Sequence, residues 1–182
     1  MLNLIENKGP NNLSAVLRDR LRGSSTAQIG VAFVTEAGID SLIAPLTRVA
    51  ARGKVEILTG LYQSFIEPSV LRRLLKLQQQ TKGRLSVHIS VDRTFHKKLY
   101  TYGGGRGAGA VVGSQNLTAE GLRSAGELSV EIGLAGNANL LHRLAASFRK
   151  DWNEDSVPLS IDLISRYQKH RKGPPPGVSL SA

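Results

Sequence analysis

The sequence predicts a single α/β domain in which a mixed β-sheet is flanked by helices. Apolar segments with strand spacing alternate with segments of helical spacing along most of the chain, as in a sheet covered by helices. The length of 182 residues suits one domain and is short for two. Apolar residues make up 41% of the chain and charged residues 21%, which provides a packed core and excludes wholesale disorder.

Helix and strand patterns alternate through the first half of the chain. Leu13, Leu17 and Leu21 recur at helical spacing, and Gly23 follows where a helix is expected to end. Pro45 lies inside the second helical pattern, so we expect a kink there or a later helix start. The patterns predict helices over Asn12–Leu21, Gly38–Ala51 and Pro68–Gln80, and strands over Ala27–Val34 and Val55–Thr59.

The second half is richer in strand patterns. The glycine-rich segment 103–109 separates two of them and favours their antiparallel pairing. We assign residues 1–172 to the domain and 173–182, rich in Pro, Gly and Ser, to a flexible tail. The predicted strands are Leu85–Val91, Phe95–Tyr102, Ala110–Gly113 and Leu128–Gly133, and the predicted helices are Leu140–Trp152 and Ile161–Tyr167.

Charge and cysteine content narrow the range of functions. Lys and Arg total 24 against 14 for Asp and Glu, which gives a net charge of +10 and a pI near 10.3. Such a charge attracts polyanions, so nucleic acid is the first expected partner and an anionic membrane surface the second. The lack of cysteine excludes disulfides, Cys-ligated zinc and iron–sulfur clusters.

The sequence carries no pattern typical of export or membrane insertion. The first residues, Met1 to Glu6, lack a basic segment followed by a long apolar run. No stretch approaches the ~20 apolar residues that are needed to cross a bilayer. We therefore expect a soluble, cytoplasmic protein without integral membrane association.

One cluster of polar residues indicates a catalytic site. In the predicted strand from Phe95, residues two apart share a face, so His96, Lys98 and Tyr100 are expected to project together. The hairpin through the glycine-rich segment brings Ser114 and Asn116, just past the next strand, towards them. An imidazole nucleophile with a lysine, an amide and a hydroxyl is a plausible holder for a phosphoryl group, and this chemistry requires no metal or cofactor.

These residues carry a family resemblance. The segment 95–102, Phe-His-Lys-Lys-Leu-Tyr-Thr-Tyr, and the segment 111–118, Val-Val-Gly-Ser-Gln-Asn-Leu-Thr, resemble the His-x-Lys and Gly-Ser-x-Asn-Leu-Thr pair of the phospholipase D superfamily. Glu127 matches the acidic residue that the nuclease branch carries beside its histidine. The resemblance implies a phospholipase D-like fold and a metal-independent phosphodiesterase, here an endonuclease acting on nucleic acid, with DNA favoured over RNA.

The resemblance also implies the role of each residue. His96 attacks phosphorus and forms a phosphohistidine, while Lys98 and Asn116 hold the nonbridging oxygens. Glu127 orients and charge-balances an imidazole, and Ser114 assists by hydrogen bonding. Glu131, four residues further along the chain, is a rival for the acidic role.

Two departures from the family pattern matter. The longer signature has an Asp five residues after the Lys, and Gly103 occupies that position, as in relatives resembling metal-independent restriction endonucleases. The superfamily active site uses two motif copies, whereas this chain has one, and single-copy nucleases of the family pair two subunits. We therefore expect a homodimer with one shared site.

Two alternative functions remain open. The first is a catalytically impaired, dimeric DNA-binding module, for which the glycine in place of Asp is the best support. The second is a phospholipid phosphodiesterase or transferase that docks on anionic lipid. No amphipathic helix with an aromatic apolar face is evident, which counts against the second alternative.

Further residues are candidates for substrate contact. We assign Lys97 and Tyr100 to substrate binding, together with Arg106, which lies at the tip of the glycine-rich segment. Tyr62 and Phe65 lie between a strand and a helix and either stack on a base or close the core, and the core is favoured. A basic stripe is a DNA-contact candidate or only a solvated helix face; it comprises Arg72, Arg73, Lys76, Lys82 and Arg84.

Overall fold

The computed structural model describes residues 1–61, 64–104, 107–124 and 126–171. The strands are β1 (Leu2–Ile5), β2 (Thr26–Val31), β3 (Lys54–Thr59), β4 (Leu85–Ser90), β5 (Lys98–Gly103), β6 (Gly109–Gly113), β7 (Ser129–Gly133) and β8 (Ser156–Pro158). The helices are α1 (Leu13–Arg22), α2 (Glu36–Arg52), α3 (Pro68–Gln80), α4 (Ala119–Arg123), α5 (Ala138–Glu154) and α6 (Ile161–His170).

All eight of these strands form one mixed sheet in the order β1-β7-β6-β5-β2-β3-β4-β8. β2, β3 and β4 are parallel, and the remaining pairs are antiparallel. The predicted pairing across the glycine-rich segment is confirmed, since β5 and β6 are antiparallel with Tyr102 opposite Gly109. The predicted α/β class is therefore confirmed.

Helices cover both faces of the sheet. On one face, α1, α2, α3 and α6 contribute Leu13, Leu42, Leu71 and Ile164 to the larger apolar core. On the other face, α5 contributes Phe148 and Trp152 to a smaller core with Phe95 and Leu99. Among the described helices, none is long and apolar enough to cross a membrane.

Pro45 is accommodated without ending its helix, because α2 runs unbroken from Glu36 to Arg52 and starts earlier than the pattern predicted. A proline nitrogen cannot donate to the carbonyl four residues earlier, here that of Ser41. The side chain of Arg18 supplies the missing donor, with Nε 3.0 Å from the Ser41 carbonyl oxygen. A hydrogen bond between α1 and α2 thus replaces the hydrogen bond that Pro45 removes within α2.

The glycine-rich hairpin is tightly packed where it can be described. A Cβ added to Gly109 would lie 2.8 Å from the backbone carbonyl oxygen of Ile132, too close for any residue but glycine. The hairpin holds β5 and β6 in register, and this register sets the relative positions of the motif residues beyond their ends. Tyr62, Arg106 and the predicted tail, 173–182, lie outside the described residues.

Candidate active site

The motif residues meet at one end of three neighbouring strands. Leu99 on β5 pairs with Val112 on β6, and Gly113 pairs with Ser129 on β7. His96 lies two residues before β5, Ser114 directly follows β6, and Glu127 lies two residues before β7. The register therefore brings residues from three segments to one edge of the sheet.

His96 reaches this edge from a turn and not from a strand. The predicted strand from Phe95 is too long, because β5 begins at Lys98. The Asp92 carboxylate accepts hydrogen bonds from the backbone N–H and the hydroxyl of Thr94, both at 2.8 Å, and this fixes the turn. Phe95 is 5% exposed and anchors the turn in the smaller core, so His96 is held at the surface.

Lys98 lies directly against His96. Its Nζ is 2.6 Å from Nδ1 of the imidazole and 2.9 Å from the His96 carbonyl oxygen, to which it donates. Burial lowers the pKa of Lys98, while the negative charge of Glu127 acts in the opposite direction. With 8% of its surface exposed, Lys98 is a largely desolvated cation, and such a cation interacts strongly with an anionic substrate group.

Asn116 is oriented by the backbone of Phe33. The Phe33 N–H donates to Oδ1 of Asn116 at 3.1 Å, and the Phe33 ring lies 6.0 Å from the His96 ring. Because Oδ1 is engaged, the two N–H donors of the amide point elsewhere. The isolated bridge between Val34 and Leu117 holds the two segments together. Asn116 thus keeps its amide donors available, and Phe33 connects it with His96.

Ser114 and Glu127 form a pair at the same edge. The Ser114 hydroxyl donates to the Glu127 carboxylate and accepts a hydrogen bond from the Leu128 N–H at 3.0 Å. This geometry uses the hydroxyl to position the carboxylate. The charge of Glu127 acts on Lys98, which links this pair to His96.

Tyr100 does not have the geometry of a substrate contact. It is 2% exposed, and its hydroxyl donates to the Gln115 carbonyl oxygen at 3.1 Å. Burial first, and the charge of Glu127 second, raise the pKa of this phenol. The predicted substrate role of Tyr100 is therefore corrected to a structural one, in which it fixes the backbone between Ser114 and Asn116.

Glu131, the rival acidic residue, is occupied elsewhere. It is fully buried and pairs with Arg20 at 2.6 Å, and it accepts a hydrogen bond from the Tyr102 hydroxyl at 2.7 Å. Burial alone would raise the pKa of Glu131, but hydrogen bonds from Arg20 and Tyr102 outweigh it, and the pKa is lowered. These contacts favour Glu127 for the acidic role.

Several predicted contact residues are engaged in ion pairs on the surface. Lys97 lies 2.6 Å from Asp151 and 3.0 Å from the Ser147 hydroxyl, both on α5. In the basic stripe, Arg73 pairs with Asp40, and Arg72 donates to a glutamine of α6. Part of the positive surface is therefore partnered by side chains of the protein itself.

A family comparison agrees with this geometry. The family model described as cardiolipin synthase, PLD-like domain, where PLD denotes phospholipase D, matches residues 19–152, well over half of the chain. The chain belongs to this phospholipase D-like family. No curated protein matched the sequence.

Solved structures share the phospholipase D-like fold. Nuc from Salmonella typhimurium, a phospholipase D family member, has 12% identity and a TM-score of 0.63, with 87% of this chain and 95% of that one covered. NucT from Helicobacter pylori has 14% identity and a TM-score of 0.63, with 87% and 97% covered. Phosphatidylserine synthase from Haemophilus influenzae has 15% identity and a TM-score of 0.56, with 93% and 44% covered. At these identities the likeness shows the fold.

The phospholipase D-like site also contains an aromatic pair that the sequence patterns did not assign to it. Phe33 and Phe65 lie with ring centroids 5.4 Å apart at 77°, and Phe33 lies beside His96. The sequence patterns place Phe33 in a predicted strand and favour a core position for Phe65. In the described ranges, no group of three His, Asp or Glu side chains is arranged to hold a metal ion.

Proposed function

We propose that the chain is a metal-independent phosphodiesterase that hydrolyses nucleic acid, DNA in preference to RNA, at a site shared by two subunits. The observation that carries this proposal is the Lys98 ammonium, 2.6 Å from the imidazole of His96. Asn116, which Phe33 connects with His96, presents amide donors. A nucleophile with fixed donors and a desolvated cation is the arrangement that phosphoryl transfer needs.

The first step forms a covalent intermediate. A neutral imidazole nitrogen of His96 attacks phosphorus, and a bond from phosphorus to nitrogen forms as the bond to the leaving oxygen breaks. The protonated imidazole of His96 of the partner subunit gives its proton to that oxygen. Lys98 and Asn116 neutralise and hold the nonbridging oxygens, where charge accumulates in the transition state.

The second step releases the enzyme. Water attacks phosphorus, the bond between phosphorus and His96 breaks, and the water proton goes to the histidine that gave one up in the first step. Both imidazoles are then in their starting states. Ser114 fixes Glu127 beside the site, and the carboxylate balances the positive charge of Lys98 and of the imidazolium.

Two features support a homodimer. The chain carries one His-x-Lys motif with a Gly-Ser-x-Asn partner, whereas the two steps require two histidines. Beside Glu127, at the same end of the sheet, lies an apolar face whose members point to one side by register. Leu4, Leu128 and Val130 are 49%, 52% and 37% exposed, which is typical of a surface that a second copy covers.

Gly103 does not weaken the catalytic proposal. It lies five residues along β5 from Lys98, which places it about 16 Å away at the rise of an extended strand. A carboxylate at that position is too far to contact a phosphoryl group held by Lys98. The binding-module alternative thereby loses the sequence feature that favoured it most.

The net charge of +10 supports a nucleic-acid substrate. The names Nuc and NucT of two structural neighbours agree with the nuclease branch. A role in a restriction system and a cytoplasmic location complete the proposal. The lipid alternative draws on the cardiolipin synthase in the family description and on the phosphatidylserine synthase neighbour.

Cleavage of DNA in excess EDTA tests the proposal. Supercoiled plasmid and circular single-stranded DNA are incubated with wild type, His96→Ala and the control variant His142→Ala, which changes an exposed histidine of α5. We expect wild type and the control to cut and His96→Ala to bind without cutting. Cutting that EDTA abolishes, or that survives His96→Ala, would overturn the mechanism. Hydrolysis of anionic vesicles without any cutting of nucleic acid would favour the lipid alternative.

A further inference from the structure

Phe33, beside His96, and Phe65, which contacts Phe33, belong to neither apolar core. Phe33 and Phe65 are both partly exposed, and neither takes part in the core on either face of the sheet. Their rings contact one another at 5.4 Å, and the Phe33 ring lies 6.0 Å from the imidazole at 82°. Large aromatic side chains that the core does not use, next to a nucleophile, indicate a role in binding.

The backbone holds both rings in place. The Phe33 N–H is bound by Asn116, and its carbonyl oxygen accepts from the Leu117 N–H at 3.2 Å. On either side of Phe65, the Ser64 carbonyl accepts from Arg171 Nε at 2.9 Å and the Ile66 carbonyl accepts from the Tyr167 hydroxyl at 2.8 Å. The end of α6 thus fixes the segment that carries Phe65. Ligand binding therefore costs little further conformational entropy in this segment.

We infer that Phe33 and Phe65 form a platform that stacks on an unpaired base next to the scissile phosphate. The inference rests on the proposed function and adds a preference for single-stranded nucleic acid. During attack, phosphorus lies about 3 Å from the imidazole nitrogen. The Phe33 ring lies 6.0 Å from the His96 ring, so a base of a nucleotide next to the attacked phosphate can reach it.

The chemistry of stacking explains the preference. A base presents its flat face to a side chain only when it leaves the duplex stack, and in a single strand this costs least. Every base has such a face, so the platform selects strandedness and not sequence. The glycerol of a phospholipid headgroup has no flat ring to stack.

A nearby cation supports the same path for the strand. Arg93 is exposed in the turn that Asp92 fixes, three residues before His96. Within the described parts of the chain no acidic side chain forms an ion pair with it. Aromatic rings beside a track of cations are the usual arrangement for single-strand binding.

Cleavage of matched oligonucleotides tests the platform. The substrates are a single strand, its duplex, and the same single strand with abasic tetrahydrofuran residues on both sides of the cleaved bond. Phe65→Leu keeps apolar bulk and removes the flat ring, and Phe65→Tyr is the matched control that keeps it. We expect wild type to cut the intact single strand fastest. Phe65→Leu should lose about tenfold in kcat/KM on that substrate, within the range of base stacking, and little on the abasic one.

A second readout separates this inference from the proposed function. In the His96→Ala background, a single strand that contains 2-aminopurine should lose fluorescence on binding, and Phe65→Leu should remove this quenching while Phe65→Tyr keeps it. Equal cutting of all three substrates by wild type, or equal quenching by Phe65→Leu, refutes the platform and leaves the phosphodiesterase intact. If wild type cuts none of the substrates, the proposed function fails, and the quenching still decides whether the platform exists. If His96→Ala binds no oligonucleotide either, both are wrong.

Discussion

Replacing Asn116 by Asp separates its two hydrogen-bonding roles. The side-chain oxygen accepts from the Phe33 N–H at 3.1 Å, and the amide nitrogen is the proposed donor to a nonbridging phosphoryl oxygen. Asp keeps an acceptor for Phe33 in the same place. In place of the amide nitrogen, Asp has a second carboxylate oxygen, which accepts and does not donate and carries negative charge towards the substrate.

The expected size of each effect differs. Loss of one donor to a charged transition state costs about 10²–10³-fold in rate, and charge repulsion adds to it, so kcat/KM of Asn116→Asp should fall at least 100-fold. Its unfolding free energy should stay close to wild type. Asn116→Ala should lose comparable activity and also about 1–2 kcal/mol of stability, because the partly buried Phe33 N–H loses its acceptor.

The assay combines steady-state cleavage of a fluorescent single strand in EDTA with urea unfolding of wild type and both variants. Unchanged cleavage by Asn116→Asp would refute the assignment of the amide as a phosphoryl donor. Equal stability of Asn116→Ala and Asn116→Asp would refute the role of the side-chain oxygen in holding Phe33. Only the combination of retained stability and lost activity in the Asp variant supports both assignments.

Three further variants test other parts of the site and fold. Glu131→Gln should lower the unfolding free energy at pH 7 by about 2–3 kcal/mol by urea titration, since it breaks a buried ion pair. The lowered pKa of Glu131 means that its stabilisation is lost only as pH falls below the ordinary Glu value, so the gap to the variant should close in acid; a constant gap would contradict this. Glu127→Gln should shift the alkaline limb of kcat/KM to lower pH, because the carboxylate raises the pKa of Lys98, and an unmoved limb would contradict that coupling. Arg18→Met should cost about 1 kcal/mol by leaving the Ser41 carbonyl without its donor, and an unchanged midpoint would show that water replaces it.

Periodic apolar patterns predicted the elements that bury a full face. The helix over Pro68–Gln80 has the predicted bounds, and the other predicted elements shift by a few residues. The patterns missed β1, β8 and α4, which have four, three and five residues. Leu2 and Leu4 of β1 are exposed, so that strand carries no buried alternation to detect.

The cluster around His96 at one end of the sheet was predictable because its residues come in two short motifs joined by a hairpin. Contacts between separate segments of the chain correct the role of Tyr100 and decide the open choice between Glu127 and Glu131. Tyr100 is buried because the Gln115 carbonyl meets its hydroxyl, and Glu131 is occupied because α1 brings Arg20 against it. Local spacing shows neither contact. Local spacing also does not show that His96 lies in the turn at Asp92, before the strand begins.

The aromatic platform illustrates the same limit. Phe33 follows an apolar strand and Phe65 precedes a helix, so each fits a core position by local pattern. The pairing of Val34 with Leu117 places Phe33 beside His96, and the contacts of α6 with residues 64–66 place Phe65 against Phe33. Such long-range contacts must be known before the two rings can be assigned to a site.

Trapping of the covalent intermediate tests most directly whether His96 becomes bound to phosphorus. A reaction with a single-stranded oligonucleotide is quenched in alkaline denaturant, which preserves phosphohistidine, and intact mass and peptide mapping follow. We predict a nucleotide adduct on His96 in wild type and none in His96→Ala or in unreacted protein. Turnover at full rate without any adduct, or an adduct on another residue, would contradict the mechanism.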